Sequence, residues 1–162
     1  MDVFDDLLSI KAFREQSAGN AVTRAKAVVA EREKAVRNAE QAVLKYREFR
    51  VAEEARLFQE IRGAKVKLGE LEDMKQSVAL MRDRELKLDE AIEEAKKAVE
   101  PAKQEQRKAE EAHREAQKAL QKFEEFVQVQ KEEEQTRAAA QEEAEVEEVS
   151  EAIFASRARE TT

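Results

Sequence analysis

The chain has 162 residues, 41% of them charged and 5% aromatic, with three Gly, one Pro and no Cys, a composition that excludes an ordinary globular core and a disulfide framework. Its net charge of −7 and pI of about 5.1 speak against a nucleic-acid partner, which calls for a basic stripe. No apolar run approaches the roughly 18 residues of a membrane span, and the acids near Met1 are unlike a secretory leader, so a cytoplasmic protein is expected.

Helix formers dominate throughout. In the opening stretch, MDVFDDLLSIKAFREQSA, Phe4, Leu7, Leu8 and Phe13 form a roughly helical stripe, with Asp2, Asp5 and Asp6 where a helix N-terminus favours negative charge. It reads either as the frayed start of a coil or as a partner-binding tip. Gly19 and Asn20 weaken the helix locally. From Val22 a heptad sets in: Val22, Val29, Val36 and Val43 recur every seven residues, and Ala25, Ala39 and Tyr46 follow members of that series by three. Ala21, Val28, Ala35, Ala42 and Phe49 precede the same register by one residue and widen the stripe. Arg32, Arg50 and Glu53 interrupt it, and charges at such seam positions are expected to snorkel or to pair across the interface.

Gly63 and Gly69 flank AKVKL, and glycine is the residue that most readily ends a helix in the left-handed conformation. The first helix is therefore expected to stop near Arg62, with Val66 and Leu68 as inward anchors of a loop. The second arm carries the longer signal. Leu71, Val78, Glu85, Ile92, Val99, Gln106, His113, Leu120 and Val127 form one series of sevens. Met74, Met81, Leu88, Ala95, Ala102, Ala109, Ala116 and Phe123 form its complement. The four successive alanines predict a thin, weakly packed middle. Pro101 removes the amide that would bond back to Lys97, predicting a kink or short break. After Val127 the register reads Glu134, Arg137, Gln141, Ala144 and Glu148, so the paired coil should end there.

If the turn centres near residue 65 or 66, residue i faces residue 131 − i, which places Phe4 by Val127, Val36 by Ala95 and Val43 by Leu88. Both stripes then begin and end together. This predicts an all-α fold, a long two-helix antiparallel coiled-coil hairpin over 1–127, monomeric in isolation. Helix one would cover about 2–62, the turn about 63–69 and helix two about 70–127, each arm reaching about 90 Å at 1.5 Å per residue. Residues 128–162 form an acidic C-terminal extension, helical or partly disordered: nine Glu stand against Lys131 and Arg137 between 128 and 151. Ile153 and Phe154 in it are either a docking handle or incidental.

Catalytic chemistry is not expected. His113 with Glu110 matches the Glu-x-x-His unit of helical di-iron sites, which need that unit twice plus further carboxylates, so a hydrated or seam-pairing histidine is the simpler reading. Gly63 to Gly69 lacks the Lys-Ser/Thr of a phosphate loop, and the acidic clusters lack calcium-loop spacing. No cofactor and no metal ligand emerge.

The run Tyr46-Arg47-Glu48-Phe49-Arg50, Glu53-Glu54, Arg56-Leu57-Phe58, Ile61 and Gly63 resembles the YscO-type (SctO) stalk proteins of bacterial type III secretion, relatives of the flagellar export protein FliJ. The similarity continues through Val66, Leu68, Leu71-Glu72, Val78, Leu80 and Arg82-x-Arg84-Glu85. In front it takes in Leu7-Leu8-x-Ile10-Lys11-x-Phe13-Arg14-Glu15, and behind the FEEFV run at 123–127. Phe49 stands where many members carry tryptophan, and the tail matches only in acidity. The resemblance implies a virulence-associated protein-transport role as an FliJ-like central stalk, inserted in the hexameric export ATPase ring, promoting its activity and linking it to the cytoplasmic ring of the export gate. Free chaperones of translocator proteins are a further implied partner. On this resemblance the gate-binding residues would be Tyr46, Phe49, Arg50, Glu54, Leu57, Phe58 and Gly63, and Lys11, Arg14, Phe123 and Phe126 would meet the ATPase. Tyr46 and Leu57 also fit the seam. A scaffold coiled coil unrelated to secretion is the other reading.

Overall fold

A computed structural model describes residues 2–62 and 65–161; Gly63 lies outside the described residues. Two antiparallel helices pack against each other, α1 over Val3–Ile61 and α2 over Leu68–Glu160, with no strand among the described residues. The chain divides into two compact units, Ala18–Ala112 and Met1–Ser17 with His113–Thr162.

At the start of α1 the Asp2 carbonyl accepts from the Asp5 and Asp6 amides at 3.1 and 3.2 Å, while Asp5 and Asp6 place negative charge in the first turn. Its last turn closes with the Arg62 amide donating to the Phe58 carbonyl at 3.0 Å. α2 starts two residues earlier than expected. The Lys67 carbonyl accepts from the Glu70 and Leu71 amides at 3.1 and 3.3 Å, so Gly69 belongs to the first helical turn rather than to the turn between the arms. Val66 is half-buried as an anchor should be, but Leu68 is 72% exposed and anchors nothing.

In the Ala18–Ala112 unit, Val29 and Ala102 are buried at reflected positions, and Val43, only 3% exposed, and Met74 complete the dry core. Every member of the two α2 series between Leu71 and Ala109 is buried or half-buried, in steps of three and four. Arg32 does not enter the seam; Glu33 is the half-buried neighbour, and Arg32 instead lines an open groove with Ala25, Val28, Ala98, Pro101, Ala102 and Glu105. α2 runs through Pro101 without the expected break, with Pro101 on an exposed position.

The unit holding both chain ends has its own seam. Phe4, Leu8, Lys11 and Glu15 of α1 meet His113, Ala116, Leu120, Phe123 and Val127 of α2. Here the expected N-terminal stripe splits. Phe4 and Leu8 turn inward, whereas Phe13 is 71% exposed, because the seam advances from 8 to 11 to 15 and passes it by. Beyond Gln130 every described residue of α2 is exposed.

Three measurements test this packing. Spin labels at Val36 and Ala95 should report near neighbours, consistent with helix axes about 8–10 Å apart; a separation of several tens of ångströms would sink the hairpin. Val43→Ala should cost about 1–3 kcal/mol in chemical denaturation. Gly69→Ala should stabilise by up to about 1 kcal/mol, because a Cβ there meets nothing within 4 Å and the residue is helical.

Candidate partner-binding surfaces

Near the turn the seam changes character. Where Arg50 and Glu85 occupy apolar heptad positions, a ring of charge joins the helices. The Arg47 Nε donates to Glu85 at 2.6 Å and its guanidinium reaches Asp89 at 3.6 Å. Arg50 donates to Glu54 at 3.1 Å, Arg82 reaches the same Glu54 oxygen at 3.3 Å, and the Arg50 Nε lies in charge contact with Glu85 off the hydrogen-bond line. The side chains of Arg50, Glu54 and Glu85 are largely shielded.

Their electrostatics follow from this enclosure. The hydrogen bond to Glu54 raises the Arg50 guanidinium above its ordinary value, against the partial burial. Partial burial pushes the Glu54 carboxyl upward, but the bonds from Arg82 and Arg50 outweigh it and hold it below the ordinary 4.5. Glu85 is held below 4.5 first by the Arg47 hydrogen bond, with burial opposing and Arg50 adding to the fall. Outside this ring, Arg56 lowers Glu53 and pairs with Glu60 at 2.6 Å.

The residues singled out near the turn therefore fall into two groups. Arg50 and Glu54 are engaged inside the hairpin, Leu57 is half-buried in the seam, and half-buried Tyr46 packs its ring 5.8 Å from that of Phe49. Phe49 and Phe58 are 54% and 57% exposed. They do not make one patch. Nine residues apart, they point about half a turn away from each other at 3.6 residues per turn, on opposite flanks of the seam.

Phe58 instead shares its face with Leu44 and Val51, each 58% exposed and each one residue after a seam position. This stripe was missed from sequence, although the seven-residue spacing from Leu44 to Val51 to Phe58 was its signal.

In the unit holding both chain ends, the Phe4 ring meets Phe126 edge-on at 5.6 Å, Phe126 lies 5.9 Å from Phe123, and the Lys11 Nζ sits 5.6 Å from the Phe123 centroid. One turn deeper the Glu15 carboxylate meets His113 Nε2 at 2.8 Å. Of the residues named for the ATPase, Lys11, Phe123 and Phe126 are thus bound up in local packing, Phe126 with one side still exposed, while Arg14 is exposed. Arg14 continues a line of exposed apolar side chains, Val3, Leu7 and Ile10, spaced by three or four residues. No group of three or more His, Cys, Asp or Glu among the described residues is placed to hold a metal, and no helix is long and apolar enough to cross a membrane.

The depressed carboxylates carry a pH prediction. Above the ordinary carboxyl value of 4.5 the wild-type chain should melt higher than Glu85→Gln, and the gap should close as pH falls through the lower folded-state value. The difference is read from thermal midpoints across an acid titration; a gap that does not depend on pH would assign the effect to shape rather than charge.

A family model described as Type III secretion protein YscO matches residues 4–152. Among solved structures, the 2.8 Å crystal structure of Type III Secretion Protein YscO from Vibrio parahaemolyticus is similar at 32% identity with a TM-score of 0.77, over 90% of this chain and 91% of that one. Curated proteins yield no match. With a two-helix hairpin, a family match over most of its length and a related structure of the same architecture, the chain belongs to the YscO family of type III secretion proteins.

Proposed function

We propose that this chain is the central stalk of a type III secretion apparatus, cytoplasmic at its base, entering the hexameric export ATPase ring, raising its activity and linking it to the export gate. Family membership displaces the reading as a scaffold unrelated to secretion. The observation that carries the stalk assignment is the division of labour near the turn. The charge ring closes the hairpin from within, and the apolar side chains Leu44, Val51 and Phe58 are left free on one outer face.

On this reading the turn end meets the gate through that face, with Phe49 acting separately on the opposite flank. The end carrying Val3, Leu7, Ile10, Arg14 and Phe126 meets the ATPase. Contacts of this size, partly polar and screened by salt, permit repeated engagement and release. The reading gives the chain no catalytic step of its own; it acts by binding. Free translocator chaperones are a further partner on the same reading.

The test pairs two assays with the ATPase and gate domain of the same system. Adding the chain should raise ATP turnover. Val51→Asp with Phe58→Asp should weaken gate binding by about tenfold or more, as truncated apolar contact residues do, while helicity by circular dichroism and ATPase stimulation persist. Binding unchanged in that variant but lost in Phe49→Ala would move the gate contact to the other flank. Absence of both stimulation and gate binding would end the stalk assignment.

A further inference from the structure

α2 continues as helix to Glu160, about thirty residues past the last buried seam residue, Val127, and α1 begins too late to cover any of that length. Within this stretch Val146, Val149 and Ile153 recur at steps of three and four and are 50% to 64% exposed. That is the spacing of one face of a helix packed against another. The stripe is not a continuation of the hairpin seam. Counted in sevens from Val127, the seam would pass through Glu134, Gln141 and Glu148, so Val146 and Ile153 occupy positions that face outward in the hairpin register. A longer α1 would not reach them.

The borders of the stripe state what does. Glu142 and Glu145 line one shallow depression with Val146, Val149 and Ser150. Between 141 and 160 seven Glu stand against Arg157 and Arg159, and among the described residues none of Glu142, Glu145, Glu147 and Glu148 takes part in an ion pair. Glu54 and Glu85, by contrast, are each held by two arginines. A second copy of this tail brings like charge against like, and an anionic membrane or nucleic acid is repelled in the same way.

We propose that residues 142–153 form a docking face for a basic amphipathic helix of a partner protein. Its apolar stripe would seat on Val146, Val149 and Ile153, and its Lys or Arg flanks would meet the surrounding glutamates. Three apolar anchors make the contact small. The flanking charges supply selectivity and rate of encounter, and so a steep dependence on salt. This inference does not rest on the stalk reading, because it concerns a segment outside both surfaces assigned there.

The probe is a fluorescent three-heptad synthetic peptide with Leu on its inner positions and Lys on its flanks, titrated by anisotropy into the full chain. Controls are a scrambled peptide of equal composition and a Glu-flanked version. The Lys peptide should bind, weaken with added salt and outbind both controls by about tenfold or more. Val146→Ser, Val149→Ser and Ile153→Ser together should remove that preference. Because this variant could lose tail helicity, Glu142→Lys with Glu145→Lys and Glu148→Lys provides a second arm, which should turn the preference toward the Glu-flanked peptide. Equal binding of the scrambled peptide would reduce the effect to charge alone and overturn the proposal. So would concentration-dependent dimerisation, by sedimentation, that the serine variant abolishes, since a second copy would then be the occupant.

Discussion

Two helices without a third layer can hide only one stripe each, and everything else in this protein answers to that limit. The buried side chains among the described residues are Val29, Val43, Met74, Ala102 and Val127, with the remaining seam positions half-open to water. A seam this narrow drives pairing through the hydrophobic effect but discriminates poorly between alignments, since a shift of seven residues along Ala95, Ala102 and Ala109 exchanges one alanine for the next. The charge layers supply the missing discrimination. Displaced by one heptad, Arg50 would face Val78 or Ile92 in place of Glu85, and both charges would lose their partners in a partly desolvated position. The Glu15 and His113 pair performs the same service in the other unit.

That limit also makes the outer faces available. A helix whose inner stripe is used must place its other apolar residues in water, and those residues are organised rather than scattered. Leu44, Val51 and Phe58 repeat by sevens beside the turn, and Val3, Leu7 and Ile10 repeat by three and four near the chain start. Scattered apolar residues on a surface need no explanation, whereas aligned ones on a helix match the spacing by which a partner helix or groove is read. Beside the turn the charge ring engages Arg50 and Glu54 with Arg82 and Glu85 inside the hairpin.

The pairing was legible in the sequence because heptad periodicity is redundant. From Leu71 to Val127 seventeen positions repeat one message, and the alignment that places residue i by 131 − i brings Glu15 near position 116 where it meets His113, and Arg47 near 84 where it meets Glu85. Single-residue features were not redundant and so were misread. Gly69 carried the composition of a turn, yet the Lys67 carbonyl begins α2 and places it in the first helical turn, and Leu68 looked apolar enough to anchor but precedes the seam by three residues. Phe13 lost its place through a phase error of two positions. The choice of partner in the cross-helix ion pairs lay beyond sequence reasoning for a different reason. Whether Arg50 points at a partner or at Glu85 depends on alignment to within one residue and on side-chain reach, and neither is encoded in local pattern.

Beyond Gln130 α2 has left its partner helix behind. A helix with no tertiary face is held by local terms alone, here Ala138 to Ala140, the Gln128 side chain on Glu132 and the Thr136 hydroxyl on the Glu132 carbonyl. Its glutamates repel one another along the same face, so its opening costs far less than opening the seam near Val43. A partner bringing positive charge and an apolar stripe would therefore stabilise the helix as well as bind it, and part of the binding free energy would go into ordering the segment. The result is a contact of modest strength that forms quickly and releases quickly. The paired seam has the opposite character: its Glu54 and Glu85 carboxylates are already held by Arg47, Arg50 and Arg82, and its apolar stripe is closed against its own partner helix.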